Sequence, residues 1–166
     1  AANPADASAQ YTYGQVLLAL DEPRQALPHL KKANTLTRNN TDYLLWLGIA
    51  YGKSGRLSEE QASYSKVLQL HPEHTQALVY LGNSYLKATK YQPALNCYQR
   101  ALTLQPDNEQ ALFNRAIIYK QLQRKTAERL AWNLYLQRHP SGSLAIKAVE
   151  QLTRLDDFSF RNHHLG

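Results

Sequence analysis

TQALVYLGNSYLKATKYQPALNCYQRALTLQPDN, residues 75–108, decides the fold. Leu78, Leu81, Gly82 and Tyr85 recur at three- and four-residue spacing and share one face of a first helix. Ala94, Tyr98, Ala101 and Leu102 do the same on a second helix. Ala88-Thr89-Lys90 is the short turn between them, and Pro93 falls in the first turn of the second helix, where its missing N–H is no loss. Pro106, followed by Asp107 and Asn108, stops that helix and begins the next connection. The stretch is a pair of amphipathic helices.

Working outward, the same pattern returns at a fixed interval. Gly14, Gly48, Gly82 and Ala116 stand 34 residues apart, Tyr51, Tyr85 and Tyr119 follow three places behind the last three, and Pro72, Pro106 and Pro140 close those units. A single period without insertion marks a stacked array of helix pairs. Four units follow: 7–40, 41–74, 75–108 and 109–142. The small residue at each glycine register lets the two helices of a unit approach closely, with Ala26 or Ala94 opposite. A larger side chain there overpacks the contact by roughly 1–3 kcal/mol. The aromatics at 51, 85, 119, 64, 98 and 132 are read as core packing between units.

Leu78-x-x-Leu81-Gly82-x-x-Tyr85, Ala94-x-x-x-Tyr98-x-x-Ala101 and Pro106 together resemble the tetratricopeptide repeat, or TPR, and the likeness covers 136 of 166 residues. The resemblance implies an all-α, right-handed α-solenoid of four helix pairs. Residues 1–6 are then a lead. Residues 143–155, with Leu144, Ala148, Val149, Leu152 and Leu155 on one stripe, form a C-terminal solvating helix over the last pair. Residues 156–166 are expected to be a tail or a linker to a missing domain, with Phe158-Ser159-Phe160 alternating like a short strand. The departures from the family pattern are Leu17 and Arg38 in unit one, Arg115 in unit four, and Glu60 and Glu128 where the second helix should carry a small residue. Pro28 is expected to delay or bend the second helix of unit one.

The family's first helices line a concave groove for an extended peptide. By that resemblance the groove residues are Tyr11 and Gln15 from unit one, and Leu45, Trp46, Ile49 and Lys53 from unit two. Unit three supplies Gln76, Val79, Tyr80, Asn83 and Lys87, and unit four Phe113, Asn114, Ile117, Lys120 and Gln121. Aromatic and aliphatic members suit apolar anchors. The asparagines suit a peptide backbone, and the lysines acidic side chains. Asn83 and Asn114 match the asparagine pair of the carboxylate clamp found in chaperone-binding members. Val79, Leu144 and Ala148 stand at its basic positions, so a free chaperone C-terminus is not the expected ligand. The function implied is a non-catalytic protein-interaction scaffold with a protein or peptide partner.

Composition bounds the alternatives. The net charge of +6 lies wholly in residues 84–166, which carry twelve basic and six acidic side chains, while residues 1–83 balance seven against seven. RNA or polyanion binding through the basic half is the second hypothesis, although no aromatic-plus-basic nucleic-acid module is present. Self-association through terminal repeats is a third. No apolar run approaches the roughly 20 residues of a bilayer-spanning helix. No Gly-rich phosphate loop or nucleophile elbow occurs, and neither an enzyme nor a cofactor is expected. His71-Pro72-Glu73-His74 sits in a loop with proline inside it and falls short of a zinc ligand set. His163-His164, Asp156-Asp157 and the Asn39-Asn40-Thr41 triplet carry no functional assignment. The single cysteine, Cys97, is read as structural. The chain begins Ala1-Ala2-Asn3-Pro4 and holds no methionine, so a matured product or a fragment is expected, and bacterial periplasm and cytoplasm both stay open.

Overall fold

The apolar periodicity folds, among the described residues, into nine α-helices and no strand. The computed structural model describes the backbone of residues 4–163 and the side chains of residues 6–157. The helices are α1 Pro4–Ala19, α2 Pro23–Leu36, α3 Thr41–Lys53, α4 Leu57–Leu70, α5 Thr75–Lys87, α6 Tyr91–Leu104, α7 Glu109–Gln121, α8 Lys125–Arg138 and α9 Ala145–His163. They fall into two units, Ala1–Lys90 with α1 to α5 and Tyr91–Gly166 with α6 to α9.

Helix starts and stops repeat with the sequence. Ahead of α3, Asn40 accepts a hydrogen bond from the Tyr43 N–H at 3.1 Å, and ahead of α7, Asn108 accepts from the Ala111 N–H at 3.0 Å. At the matching register before α5, His74 Nδ1 accepts from the Ala77 N–H at 3.2 Å. Each cap satisfies one N–H that the helix cannot pair internally. The hairpin turns end on a left-handed residue at the same spacing: Asp21 (φ 58°), Gly55 (φ 74°), Thr89 (φ 56°) and Gln123 (φ 55°). The residue after each returns its N–H to a carbonyl of the preceding helix, Glu22 to Leu17 at 2.8 Å and Arg56 to Tyr51, Lys90 to Tyr85 and Arg124 to Tyr119 at 2.9 Å. This is the Schellman closure of a helix C-terminus.

In the first unit α1 packs on α2, α2 on α3, α3 on α4 and α4 on α5. Leu17, Leu18, Ala26, Leu27, Leu30, Leu47, Ala50 and Tyr51 form one buried cluster, and Ala7, Ala33 and Tyr43 a smaller one. The glycine register is a contact, as its spacing predicts. A Cβ on Gly14 would lie 2.6 Å from Leu30 Cγ, and one on Gly48 would lie 2.4 Å from Tyr64 Cε1. Pro28 does not delay α2, which starts at Pro23 and runs through it. Pro28 lies on the exposed side of the helix, where water can take up the carbonyl that loses its partner.

In the second unit α6 packs on α7, α7 on α8 and α8 on α9. Trp132, Tyr98, Tyr135, Leu112 and Ile118 are fully buried. Helix α9 runs on to His163, through the segment expected to be a tail, so residues 158–160 are helical and not a strand. Two alternating phenylalanines are too short a pattern to separate a period of two from one of 3.6. The buried stripe of α9 is Ala145, Ala148 and Leu155, whereas Val149, expected on that stripe, is 51% exposed. Residues 164–166, the end of the expected tail, lie outside the described residues.

Candidate functional site

The groove residues expected on α1, α3 and α5 all belong to the first unit, which can be followed residue by residue. Tyr11 stacks 4.7 Å from the Tyr43 ring and meets Trp46 edge-on at 6.5 Å, and its hydroxyl accepts a hydrogen bond from Gln15 Nε2 at 3.0 Å. Trp46 and Ile49 are half-buried against the larger core cluster. Gln76 Nε2 donates to the Tyr80 hydroxyl at 2.9 Å, and the Tyr80 ring lies 5.6 Å from that of Tyr64. Leu45 and Val79 are 5% and 3% exposed, so they belong to the core beneath this surface and offer a ligand almost no area.

Ile49, Lys53, Tyr80, Asn83 and Lys87 converge on one open hollow of about 270 Å³, where Gly52, Glu60 and Tyr64 complete the wall. Helices α3 and α5 bring the predicted residues there, because positions three or four apart on a helix share a face. The last three lining residues were not expected from the sequence. Gly52 is small for a reason: a Cβ would stand 2.5 Å from Glu60 Oε1. Burial pushes the Tyr64 phenol well above its ordinary value, so it stays protonated and serves as an apolar wall with a polar tip.

The charges around the hollow are matched in pairs. Lys53 Nζ binds Asp21 Oδ1 at 2.8 Å, and the hydrogen bond from this lysine holds the Asp21 carboxyl below the usual carboxylate range. Glu60 is 4% exposed; its Oε2 accepts from Ser84 Oγ at 3.0 Å and its Oε1 faces Lys87 Nζ at 3.4 Å. A buried carboxylate is tolerated only when such partners surround it. The signal for Glu60 was in the sequence, as an acid standing where the repeat otherwise places a small residue.

The second unit holds the remaining predicted residues. The Phe113 ring packs edge-on against Trp132 at 5.0 Å and Tyr135 at 5.6 Å, and Asn114 is hydrogen-bonded to the Tyr98 phenol. Ile117 and Lys120 are half-buried and Gln121 is exposed. Glu128, in register with Glu60, is 2% exposed and has its own partners: Oε1 accepts from Trp132 Nε1 at 3.3 Å and from Arg154 Nη2 at 2.9 Å.

Elsewhere, His71, Pro72, Glu73 and His74 line a shallow hollow with Thr41 and Leu70. Among the described residues no group of three or more His, Cys, Asp or Glu is placed to hold a metal ion. Among them, too, no helix is long and apolar enough to cross a membrane.

Two family models match the chain. One, described as TPR repeat, matches residues 82–123; the other, described as Tetratricopeptide repeat, matches residues 42–74. None of the curated proteins compared matches it. Among solved structures, the MamA RS-1 ArsTM double mutant shares 23% identity and a TM-score of 0.83, over 93% of this chain and 85% of its own. YrrB, described as a TPR protein with an unusual peptide-binding site, shares 19% identity and a TM-score of 0.78, over 87% and 74%. The first TPR of Spaghetti (RPAP3), solved bound to the HSP90 peptide SRMEEVD, shares 18% identity and a TM-score of 0.69, over 72% and 95%.

Proposed function

The chain is a tetratricopeptide-repeat protein, and from that premise we propose that it is a non-catalytic interaction module that holds an extended segment of a partner protein across α3 and α5. The observation that carries this is the convergence of Ile49, Tyr80 and Asn83 on one hollow rimmed by Lys53 and Lys87. Ile49 and the Tyr80 ring accept one apolar side chain of the segment. Asn83 carries both a donor and an acceptor for its main chain. The lysines favour an acidic neighbour, which would exchange with Asp21, whose side chain is 82% exposed, for Lys53. YrrB and the RPAP3 repeat, the one described by its peptide-binding site and the other solved with a peptide, support this use of the fold. The segment is internal to its protein, because the clamp for a terminal carboxylate lacks its basic members at Val79, Leu144 and Ala148.

Polyanion binding is the weaker reading. In the basic half, Arg129 is ion-paired with Asp156 and Arg154 with Glu128, which removes two of the cations such a surface would use.

The test is selection of peptides from a random library on the wild-type protein, followed by titration against an Ile49→Ala, Lys53→Glu, Asn83→Ala variant. Loss of affinity by about tenfold or more is expected, a change of about 1.4 kcal/mol. Selected peptides that bind the variant as tightly as the wild type would reject this site while leaving the fold untouched.

A further inference from the structure

Helix α9 leaves part of its apolar surface uncovered, and the repeat register shows what is missing there. The repeat interval sets Ile146 level with Leu44, Leu78 and Leu112, and Val149 level with Leu47, Leu81 and the departing Arg115. Those five leucines are 0–7% exposed. In the first unit α4 packs on α3, with Tyr64 against Gly48, while Leu47 belongs to the cluster that α3 shares with α1 and α2; in the second unit α8 packs on α7. On α9 the equivalent Ile146 and Val149 are 74% and 51% exposed. They border an open groove of about 570 Å³ that also includes Thr153, Glu150, Arg154 and Asp157. Helix α9 therefore presents the face of a first helix without its second.

The charges narrow the occupant further. Arg154 is drawn to the buried Glu128, leaving Glu150 and Asp157, two helical turns apart, to give the groove its acidic sign. Glu150 also occupies the register of Gly48, Gly82 and Ala116, so a helix docking here stands farther off than α4 does from α3 and reaches across with long side chains. We propose that the α9 groove binds an amphipathic helix of a partner protein, with an apolar stripe on Ile146 and Val149 and Lys or Arg residues two turns apart against Glu150 and Asp157. A second copy of this chain is the poorer occupant. Its α1 face, with Tyr13 and Val16, lies on a helix without lysine or arginine, and its own α9 face would set Glu150 and Asp157 against the same two acids.

The experiment titrates the full chain against fluorescent synthetic peptides of about four helical turns. One carries a Leu/Ala stripe with Lys two turns apart; a second has Glu in place of the Lys. The expected result is binding of the Lys peptide about tenfold more tightly than the Glu peptide, since two exposed attractions become repulsions. Ile146→Asp should weaken it at least about tenfold by removing the apolar contact. Glu150→Lys with Asp157→Lys should reverse the preference, and because both positions are exposed this arm does not depend on folding. Three outcomes overturn the proposal: no saturable binding, equal affinity for both peptides, or a concentration-dependent dimer in sedimentation that Ile146→Asp abolishes. The last would assign the groove to a second copy.

Discussion

Ser84 Oγ on α5 donates to Glu60 Oε2 on α4 at 3.0 Å, and with the two residues 0% and 4% exposed this bond partners the one buried acid among the first unit's described residues. It ties adjacent helices of that unit and forms one wall of the hollow beside Tyr80 and Asn83. Buried polar groups are asymmetric: removing one partner strands the other, whereas removing both is nearly neutral. Glu60→Ala installs the residue type found in register at Ala26 and Ala94, yet it should destabilise by about 1–3 kcal/mol because Ser84 is left unpaired. Glu60→Ala with Ser84→Ala should recover most of that loss. Urea titrations followed by Trp46 in a Trp132→Phe background isolate the first unit, and an additive double variant would show that the bond carries no coupling.

Gly48 faces Tyr64 across α3 and α4 with no room for a side chain of its own. A methyl group on Gly48 would stand 2.4 Å from Tyr64 Cε1 and 2.8 Å from Cδ1, and the Tyr64 ring is 3% exposed with little room to retreat. Alanine improves helix propensity by up to about 1 kcal/mol over glycine, but overpacking costs about 1–3 kcal/mol. Gly48→Ala should therefore be destabilising in thermal unfolding, and Tyr64→Leu in the same chain should relieve part of the loss. A Gly48→Ala protein as stable as the wild type would mean that the ring moves freely.

Much of this was legible in the sequence because it depends on period. The glycine register and the helix pairs follow from spacing alone, and of the aromatics expected in the core Tyr51, Tyr64, Tyr98 and Trp132 are buried while Tyr85 and Tyr119 are only half-buried. What spacing does not reveal is which exceptions are compensated. Glu60 and Glu128 read as flaws until Ser84, Lys87, Trp132 and Arg154 are placed around them, and those partners come from neighbouring turns and helices. Family position likewise put Leu45 and Val79 in the groove, but a helix face is about 100° wide or more, and these two fall on its core side. The run of α9 past residue 155 was hidden because Phe158-Ser159-Phe160 fits a period of two as readily as one of 3.6.

Thr89 ends the α5 hairpin turn at φ 56°, the register where Gly55 supplies φ 74° two helices earlier. A β-branched side chain in the left-handed region is unfavourable by roughly 1–2 kcal/mol. The closure itself, Lys90 N–H to the Tyr85 carbonyl at 2.9 Å, uses only main chain and survives substitution. Thr89 is exposed, so no packing is lost with its side chain. Thr89→Gly should raise stability by about 1 kcal/mol after the extra entropy of glycine in the unfolded chain is deducted. Equal or lower stability in urea would indicate that Thr89 Oγ1, which donates to the Ala88 carbonyl at 2.7 Å, offsets the backbone strain.

Cys97 on α6 is 7% exposed, and burial pushes its thiol from 9.0 up to about 11, with Arg100 opposing the shift only in part. The thiolate is the reactive form, so at pH 8 only about one molecule in a thousand carries it in the folded state. Ellman's reagent should therefore label the native protein slowly at pH 8 and at once after unfolding in urea. The sign of the pH effect follows from the raised value. Folding favours the neutral thiol, so this group's contribution is complete below pH 9 and is lost as pH rises towards about 11. Cys97→Ala should flatten that part of the alkaline stability curve. Immediate stoichiometric labelling of the folded chain at pH 8 would place the sulfur at an accessible surface and overturn its assignment to the core.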